Sequence, residues 1–373
     1  MLTQLDLRHF KCFELLHLPL CPLTLLAGTN ASGKSSVLQA LVLLHQTMRE
    51  HEWSLRLRLN GGDVQLGTVY DVVDQVHGRR TCEIGLVDEE TSYKWMFAGE
   101  RSEMSMGVES VVIGDDILNN PTQLHYLLPP ATTPPLAEHL RDLAYLTAER
   151  IGPRELYKMD DLQVAVGPSG EHAVSVLYSK RDEYVCEALA LPDAPATRLR
   201  QVEARMRTFF PGCRLEVAPV PHANTVRLGL RTSDDMDFHR PIHAGFGLTQ
   251  VLPVVVAALS ASDNDLLLIE NPEVHLHPAG QAQMGQFLAE VAQTGVQVIL
   301  ETHSDHVLNG IRRTVKAGRL SAEQVAIHFF RPRSEDGAQV VSPILDCTGN
   351  IDEWPDGFFD QFDKDMNHFA GWD

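Results

Sequence analysis

The run Gly28-Thr29-Asn30-Ala31-Ser32-Gly33-Lys34-Ser35 follows the apolar stretch Leu23-Thr24-Leu25-Leu26 and precedes Val37, Leu38, Leu41 and Val42 at helical spacing. A G-x-x-x-x-G-K-[ST] loop between a buried strand and an amphipathic helix dictates an α/β chain, because it must leave the edge of a strand and open a helix. The glycines let the backbone curl until its N–H groups point inward, and the helix dipole adds positive potential at the same place. That is a nucleotide site. Lys34 would neutralise the β- and γ-phosphates, and the Ser35 hydroxyl would hold Mg²⁺. The expected contacts to ATP are Gly28, Thr29, Asn30, Ala31, Ser32, Gly33, Lys34, Ser35 and Ser36.

Composition narrows the partners. Lys+Arg 31 against Asp+Glu 50 gives a net charge of −19, so on average the surface repels phosphate, and nucleic acid would need a local basic patch, a partner or a dimer groove. The six cysteines are scattered without a C-x-x-C pair, which reads as reduced thiols of a cytoplasmic protein. The apolar stretch 15–27 is broken by His17, Pro19 and Pro22, and the run 251–261 contains Pro253 and falls short of the ~20 residues a membrane helix needs. No membrane association is expected.

Short strands are expected in the first 27 residues and an antiparallel meander over 50–130, built on runs such as 81–86, 93–97 and 110–113. Pro129, Pro130, Pro134 and Pro135 mark a boundary. The spacing predicts a helix over 198–210 with Arg198, Arg200, Arg205 and Arg207 mostly outward. In the last third, strands at 266–269, 296–300 and 325–330 alternate with helices at 281–293 and 304–315, the pattern of βαβ units in a parallel sheet. The expected organisation is an ATPase core split between 1–50 and 240–345. An inserted β and helical lobe over 51–239 and an acidic, aromatic C-terminal segment over 346–373 complete it.

Leu266-Leu267-Leu268-Ile269-Glu270-Asn271-Pro272-Glu273 places carboxylates at the carboxyl end of a buried strand, where open parallel sheets bind ligands. Glu270 there can reach the Mg²⁺ of Ser35, and the next strand delivers His303, able to hydrogen-bond a γ-phosphate and sense its loss. A competing reading makes His275, His277, His303 and His306 a metal cluster; the blander one makes His275 and His277 turn and core residues beside Pro278. Gly245-Phe246-Gly247-Leu248-Thr249-Gln250 stands ahead of an apolar helix at 251–259 and forms another helix N-terminus suited to an anion, or a plain turn and cap.

Taken in order, these elements resemble the ABC-type ATPases of the SMC/RecF kind, the branch used in DNA repair and in many bacterial defence ATPases. Leu7-Arg8-His9-Phe10-Lys11-Cys12-Phe13 is similar to that branch's first strand, Gly245, Gly247, Thr249 and Gln250 to its signature, residues 270–278 to its Walker B, and His303 to its switch histidine. Tyr145-Leu146-Thr147-Ala148-Glu149-Arg150 and Trp354-Pro355-Asp356-Gly357-Phe358-Phe359-Asp360 resemble a subgroup whose C-terminal domain has no known function. The resemblance implies a P-loop NTPase fold of ABC type, with a mixed or parallel sheet flanked by helices, an antiparallel β subdomain and a helical insertion. It also implies a homodimer that sandwiches ATP, closing on binding and opening on hydrolysis. No heptads lie between Ser35 and Gly245, so long coiled-coil arms are absent. Asn271 stands where many such ATPases place the catalytic glutamate, which leaves Glu273 as the nearest alternative base; Gln65 is the candidate for the Q-loop.

The function expected is an ATPase that switches a DNA-linked or anti-phage defence complex. The alternatives are a non-hydrolysing ATP-dependent scaffold for an effector protein and a transport ATPase subunit, the latter disfavoured by the missing L-S-G-G-Q. Nothing after His303 forms a second metal-binding carboxylate set, which argues against a built-in nuclease. Over 351–373, aromatic residues and seven acids against Lys364 suggest an interface for a basic partner, with packing of Trp354, Phe358 and Phe359 on the chain's own core as the competing reading.

Overall fold

The computed structural model describes residues 1–74, 78–130, 135–159, 165–233, 235–243, 245–333 and 339–372. In chain order the elements begin with β1 (Leu2–Phe10), β2 (Phe13–Pro19), β3 (Leu23–Gly28), α1 (Lys34–Glu50), β4 (Arg56–Arg58), α2 (Val69–Val72), β5 (Thr81–Asp88), β6 (Ser92–Ala98), β7 (Ser105–Ile113), β8 (Asp116–Asn119) and α3 (Pro135–Arg141). The middle of the chain forms β9 (Ala144–Leu146), β10 (Tyr157–Lys158), α4 (Ala173–Ser179), α5 (Arg198–Phe209), β11 (Arg214–Pro219), β12 (Thr225–Arg231), α6 (Phe246–Ser260), β13 (Leu266–Glu270), α7 (Pro278–Gln293), β14 (Gln297–Glu301) and α8 (Asp305–Lys316). The chain finishes with β15 (Val325–Phe330), β16 (Val340–Val341) and α9 (Gln361–Ala370). Of the boundary prolines, Pro134 lies outside the described residues and Pro135 opens α3. Two compact units result. One comprises Met1–Leu143, Glu323–Leu345 and Ile351–Asp373; the other comprises Ala144–Ala322 and Asp346–Asn350.

In the first unit the expected meander is present as the antiparallel succession β5, β6, β7 and β8. It also recruits the N-terminal strands. β1 pairs with both β2 and β5, aligning Leu5 with Leu86 and Leu7 with Ile84, so that alternate apolar residues of both strands are buried together. β3 runs parallel to β15, which carries β16 antiparallel on its other edge. Helix α1 was expected to bury one face; it is instead buried on nearly all sides from Ala40 to Met48. The polar groups this would strand are satisfied by the neighbouring loop: Gln46 Nε2 donates to the Arg58 carbonyl at 2.9 Å, and the Thr47 hydroxyl accepts from Arg58 N at 3.0 Å. Near the C-terminus, Phe358 is fully buried and meets Phe329 edge-on, with Trp354 and Phe359 around it. Beyond it, α9 leaves Phe362, Phe369 and the following Trp372 in solvent, at 71%, 83% and 80% exposure.

In the second unit β13 lies between β9 and β14, all parallel, as the alternation of strands and helices implied. Two expectations need correction here. The arginine face of α5 is not mainly outward: Arg198 is buried against Glu183 at 2.8 Å, and Arg205 against Glu290 at 2.9 Å with its guanidinium over the Phe287 ring. Long arginine stems cover apolar surface while the heads find carboxylates, so the sequence pattern overstated the free charge. Helix α6 begins at Phe246, so Gly247, Thr249 and Gln250 sit inside its first turns and Pro253 is internal. Among the described residues no helix is long and apolar enough to cross a membrane.

Helices α7 and α8 touch backbone to backbone. A Cβ on Gly285 would lie 2.0 Å from the Val307 carbonyl oxygen, and one on Gly310 would lie 2.0 Å from that of Ala282. Helix α8 starts two residues after His303, so this contact anchors the helix that the segment 302–304 leads into. Gly310→Ala is expected to force the helices apart and destabilise the protein by about 1–3 kcal/mol. Urea unfolding checks it; an unchanged midpoint at unchanged slope would show that the helices can separate freely.

Candidate functional site

The phosphate-loop residues lie in the first unit, where strand β3 ends. Gly28 has φ 141° and pairs with Phe330; a Cβ there would come 2.2 Å from the Phe330 carbonyl oxygen, so only glycine lets the two strands stay this close. Gly33, at φ 105°, is the N-cap of α1, and its missing Cβ leaves room for Cys12 and Phe13. Lys34 is buried, and its ammonium donates to the Gly28 carbonyl at 3.1 Å and the Thr29 carbonyl at 2.8 Å. The loop is thus folded around its own lysine, with Ser32 Oγ donating to Thr29 O at 2.8 Å. A loop with positive-φ glycines at both ends, opening a helix and holding a buried cation, fits a polyphosphate. Gln65, the Q-loop candidate, is exposed in a hairpin closed by the Asn60 side chain, which bonds both ways to Gly67.

The acidic turn lies in the second unit. The ladder of β13 and β14 ends on the Glu270–Glu301 pair, and Asn271 N extends it by donating to Glu301 O at 2.7 Å. Asn271 then takes φ 43°, a left-handed conformation that asparagine tolerates better than most residues. Both oxygens of Glu270 have donors: Tyr145 Oη at 2.7 Å and Ala148 N at 3.1 Å. An ionised carboxylate has about four acceptor positions, so these bonds orient it and still leave room for a metal ion. Glu273 is buried; His303 N donates to its Oε1 at 3.0 Å. Burial pushes its carboxyl above the usual range, against the opposing pull of the His303 N–H, the Thr302 hydroxyl and the Arg150 charge. Its Oε2 and the Asn271 Oδ1 are buried without a hydrogen-bond partner. His303 itself is exposed.

His275 and His277 are both exposed, which corrects the reading of them as core residues. His277 is the N-cap of α7, accepting from Ala279 N, and His275 has φ 63° in the turn before it. Among the described residues no three histidine, cysteine or carboxylate side chains gather as a metal cluster, so the four-histidine reading lacks support. In the signature-like stretch Gly245 is the N-cap of α6 and has open space around it, whereas Gly247 is pressed 2.8 Å from the His275 carbonyl oxygen, measured from where a Cβ would stand. Thr249 is buried with its hydroxyl donating to Phe246 O, and Gln250 is buried with its amide donating to the carbonyls of Arg150 and Ile151.

Sequence reasoning missed the part played by residues 145–151. They run on from β9, whose Leu146 is in register with Ile269, and therefore pass the end of β13. Arg150 is buried there, and Nη2 donates to Glu270 O at 2.5 Å and Nη1 to Asn271 O at 3.3 Å. Burial lowers its pKa to about 10, against the attraction of Glu273 and Glu270. An arginine within a short run after an apolar strand was the available signal, but nothing in its spacing reveals a partner some 120 residues away.

Residues 230–308 match the family described as an AAA ATPase domain, and residues 320–368 match one described as a protein of unknown function, DUF3696. An OLD nuclease of Thermus scotoductus is 24% identical over 321 residues; the match takes in 82% of this chain and 59% of that protein, so the chain spans well under two thirds of its relative. An SMC head bound to the C-terminal winged-helix domain of ScpA superposes with a TM-score of 0.56 at 13% identity, over 92% of this chain and 98% of the other. An SMC head with an extended coiled coil, from Pyrococcus furiosus, gives 0.52 at 12% identity over 99% and 98%. The chain has the α/β fold of SMC heads, with mixed sheets flanked by helices, and it resembles the SMC/RecF-type P-loop ATPases.

Proposed function

We propose that this chain is a Mg·ATP-dependent ATPase that pairs with a second copy around ATP and switches a DNA-linked or anti-phage defence complex in the cytoplasm. The observation that carries the reading is the loop closed around buried Lys34, whose glycines at 28 and 33 take positive φ and let the loop sit against Phe330, Cys12 and Phe13. Residues 28–36 would hold the phosphates, within a core formed by 1–50 and 240–345 and interrupted by the lobe 51–239. Ser35 and Glu270 would hold Mg²⁺, which supplies charge neutralisation at the phosphate oxygens. Gly245 and Gly247, with Thr249 and Gln250 bracing the turn behind them, would present the α6 N-terminus to the nucleotide of the second copy.

For the base, Glu273 has the better chemistry. Its raised pKa and unpartnered Oε2 suit proton abstraction, whereas an amide at 271 can orient water but not take its proton. His303 would report the state of the γ-phosphate to Glu273 through the backbone bond they share. A second reading, an ATP-dependent scaffold with very slow turnover, is favoured by a specific feature: Asn271 occupies the first position past the strand. The OLD nuclease relative suggests work on nucleic acid, which we assign to a partner or to the complex and not to a cutting centre in these residues.

Lys34→Ala is expected to lower ATP affinity about 100-fold or more while circular dichroism stays native, since the loop keeps its glycine geometry. Undiminished calorimetric affinity in a folded variant would sink the cradle assignment. Glu273→Gln is expected to slow single-turnover hydrolysis roughly 100-fold, within the usual range for a general base, with ATP binding intact and the closed dimer accumulating. Asn271→Glu should raise the rate; if both variants hydrolyse ATP normally, neither position governs the chemical step. Removing residues 360–373 should leave the melting temperature and hydrolysis unchanged while weakening a contact to a basic partner, because Phe358 stays buried and only α9 is lost. Loss of the cooperative thermal transition would instead make α9 part of the fold.

A further inference from the structure

Residues 145–152 touch the acidic turn and the start of α6 with the same few groups. The Arg150 guanidinium holds the carbonyls of Glu270 and Asn271, while the carbonyls of Arg150 and Ile151 accept from Gln250 Nε2 at 3.3 and 3.2 Å. A steric path runs alongside. Phe246 lies over Gly152, where a Cβ would meet the ring at 2.9 Å, and its ring centroid is 5.2 Å from that of His275. The segment is held from behind, Thr147 N donating to Pro168 O at 2.8 Å and Ile151 N to Ser169 O at 2.9 Å. It therefore cannot slide aside when either neighbour moves.

We propose that Arg150 is a positioning residue that couples the acidic turn to the first turns of α6, so that the arrangement around Glu270 and Glu273 sets the orientation of the signature-like residues. The functional consequence rests on the ATPase reading above; the mechanical link does not.

A passive brace would not need this residue. A buried arginine is matched in stability by apolar side chains of similar volume unless its bonds are all made, and here they are not. Arg150 Nε is buried without a partner, as are Asn271 Oδ1 and Glu273 Oε2 in the same turn. The Glu273 and Glu270 carboxylates favour its charge against the burial that opposes it. A buried cation that grips two carbonyls of one turn while one of its own N–H groups stays unsatisfied is the kind of element that can hold a turn in two arrangements. The carbonyl it grips belongs to Asn271, the residue at φ 43°, where a change of backbone region is easiest.

Hydrogen exchange on the nucleotide-free protein tests the link by itself. Gln250→Met breaks it from the α6 side, and exchange of the Asn271, Val274 and Leu276 amides should rise at least tenfold while those of α7 and α8 hold. Unchanged protection at those amides overturns the coupling, whatever ATP does. Should Gln250→Met fail to fold, Arg150→Lys takes its place, read in the opposite direction at Leu248, Thr249 and Gln250 with the same two outcomes. With Mg·ATP, Arg150→Met should cut kcat at least tenfold and leave KM within threefold, and Arg150→Lys should recover part of the loss. An unchanged kcat in Arg150→Met, or a KM that rises while kcat holds, overturns the functional half. If the unaltered protein binds no ATP, the ATPase reading falls and the exchange result alone decides the coupling.

Discussion

Strand β13 is flanked by strands on both edges and buried along Leu266–Ile269, so every polar group at its carboxyl end must be satisfied where the ladder stops. That constraint organises the second unit. The Asn271 N–H continues onto Glu301, the next carbonyls are taken by Arg150, and the Glu270 carboxylate is fixed by Tyr145 and Ala148 from the neighbouring strand's extension. Glu273 is caught by the backbone of His303, which follows the other neighbouring strand. A parallel sheet places the ends of its strands side by side, and so brings three distant sequence segments to one edge.

The local devices were legible in the sequence. The loop motif was legible because its glycines stand at fixed spacing between a strand and a helix, and β3 and α1 do flank it, with Gly28 pressed against Phe330. The parallel strands were legible because their continuous apolar runs cannot face water on either side; β15 falls on the expected residues and β13 and β14 within one residue. Less was legible where a residue's role depends on a distant partner. Arg198 and Arg205 read as a solvated face because the sequence does not show that Glu183 and Glu290 approach them. The recruitment of β1 into the meander was likewise hidden, since its alternation fits any sheet with a free edge. Arg150 belongs to the same class, and so do the donors to Glu270.

The two units meet the acidity of the chain differently. A net charge of −19 would oppose a polyphosphate, yet the loop around Lys34 needs no surface potential, because burial keeps the cation close to main-chain dipoles and out of water. Around the acidic turn the balance is held by one arginine facing Glu270 and Glu273, which is a small reserve of positive charge for two carboxylates.

The backbone at residue 271 bears on why an asparagine stands there. With φ at 43°, the position favours glycine and asparagine, and a glutamate would carry a penalty of roughly 1–2 kcal/mol from its Cβ against the adjoining carbonyl. In the sequence Asn271 leaves the identity of the base open; the conformation gives the residue a positive reason to be an amide. The side chain nonetheless leaves Oδ1 buried and unpaired, a cost of about 1–3 kcal/mol that a purely conformational choice, satisfied by glycine, would avoid. Asn271 Oδ1 and Glu273 Oε2 are both left without a partner in this turn, and each can accept from a water molecule or a ligand donor. The amide at 271 therefore answers to the turn's backbone as much as to its own hydrogen-bonding capacity, because glycine would meet the first demand and not the second.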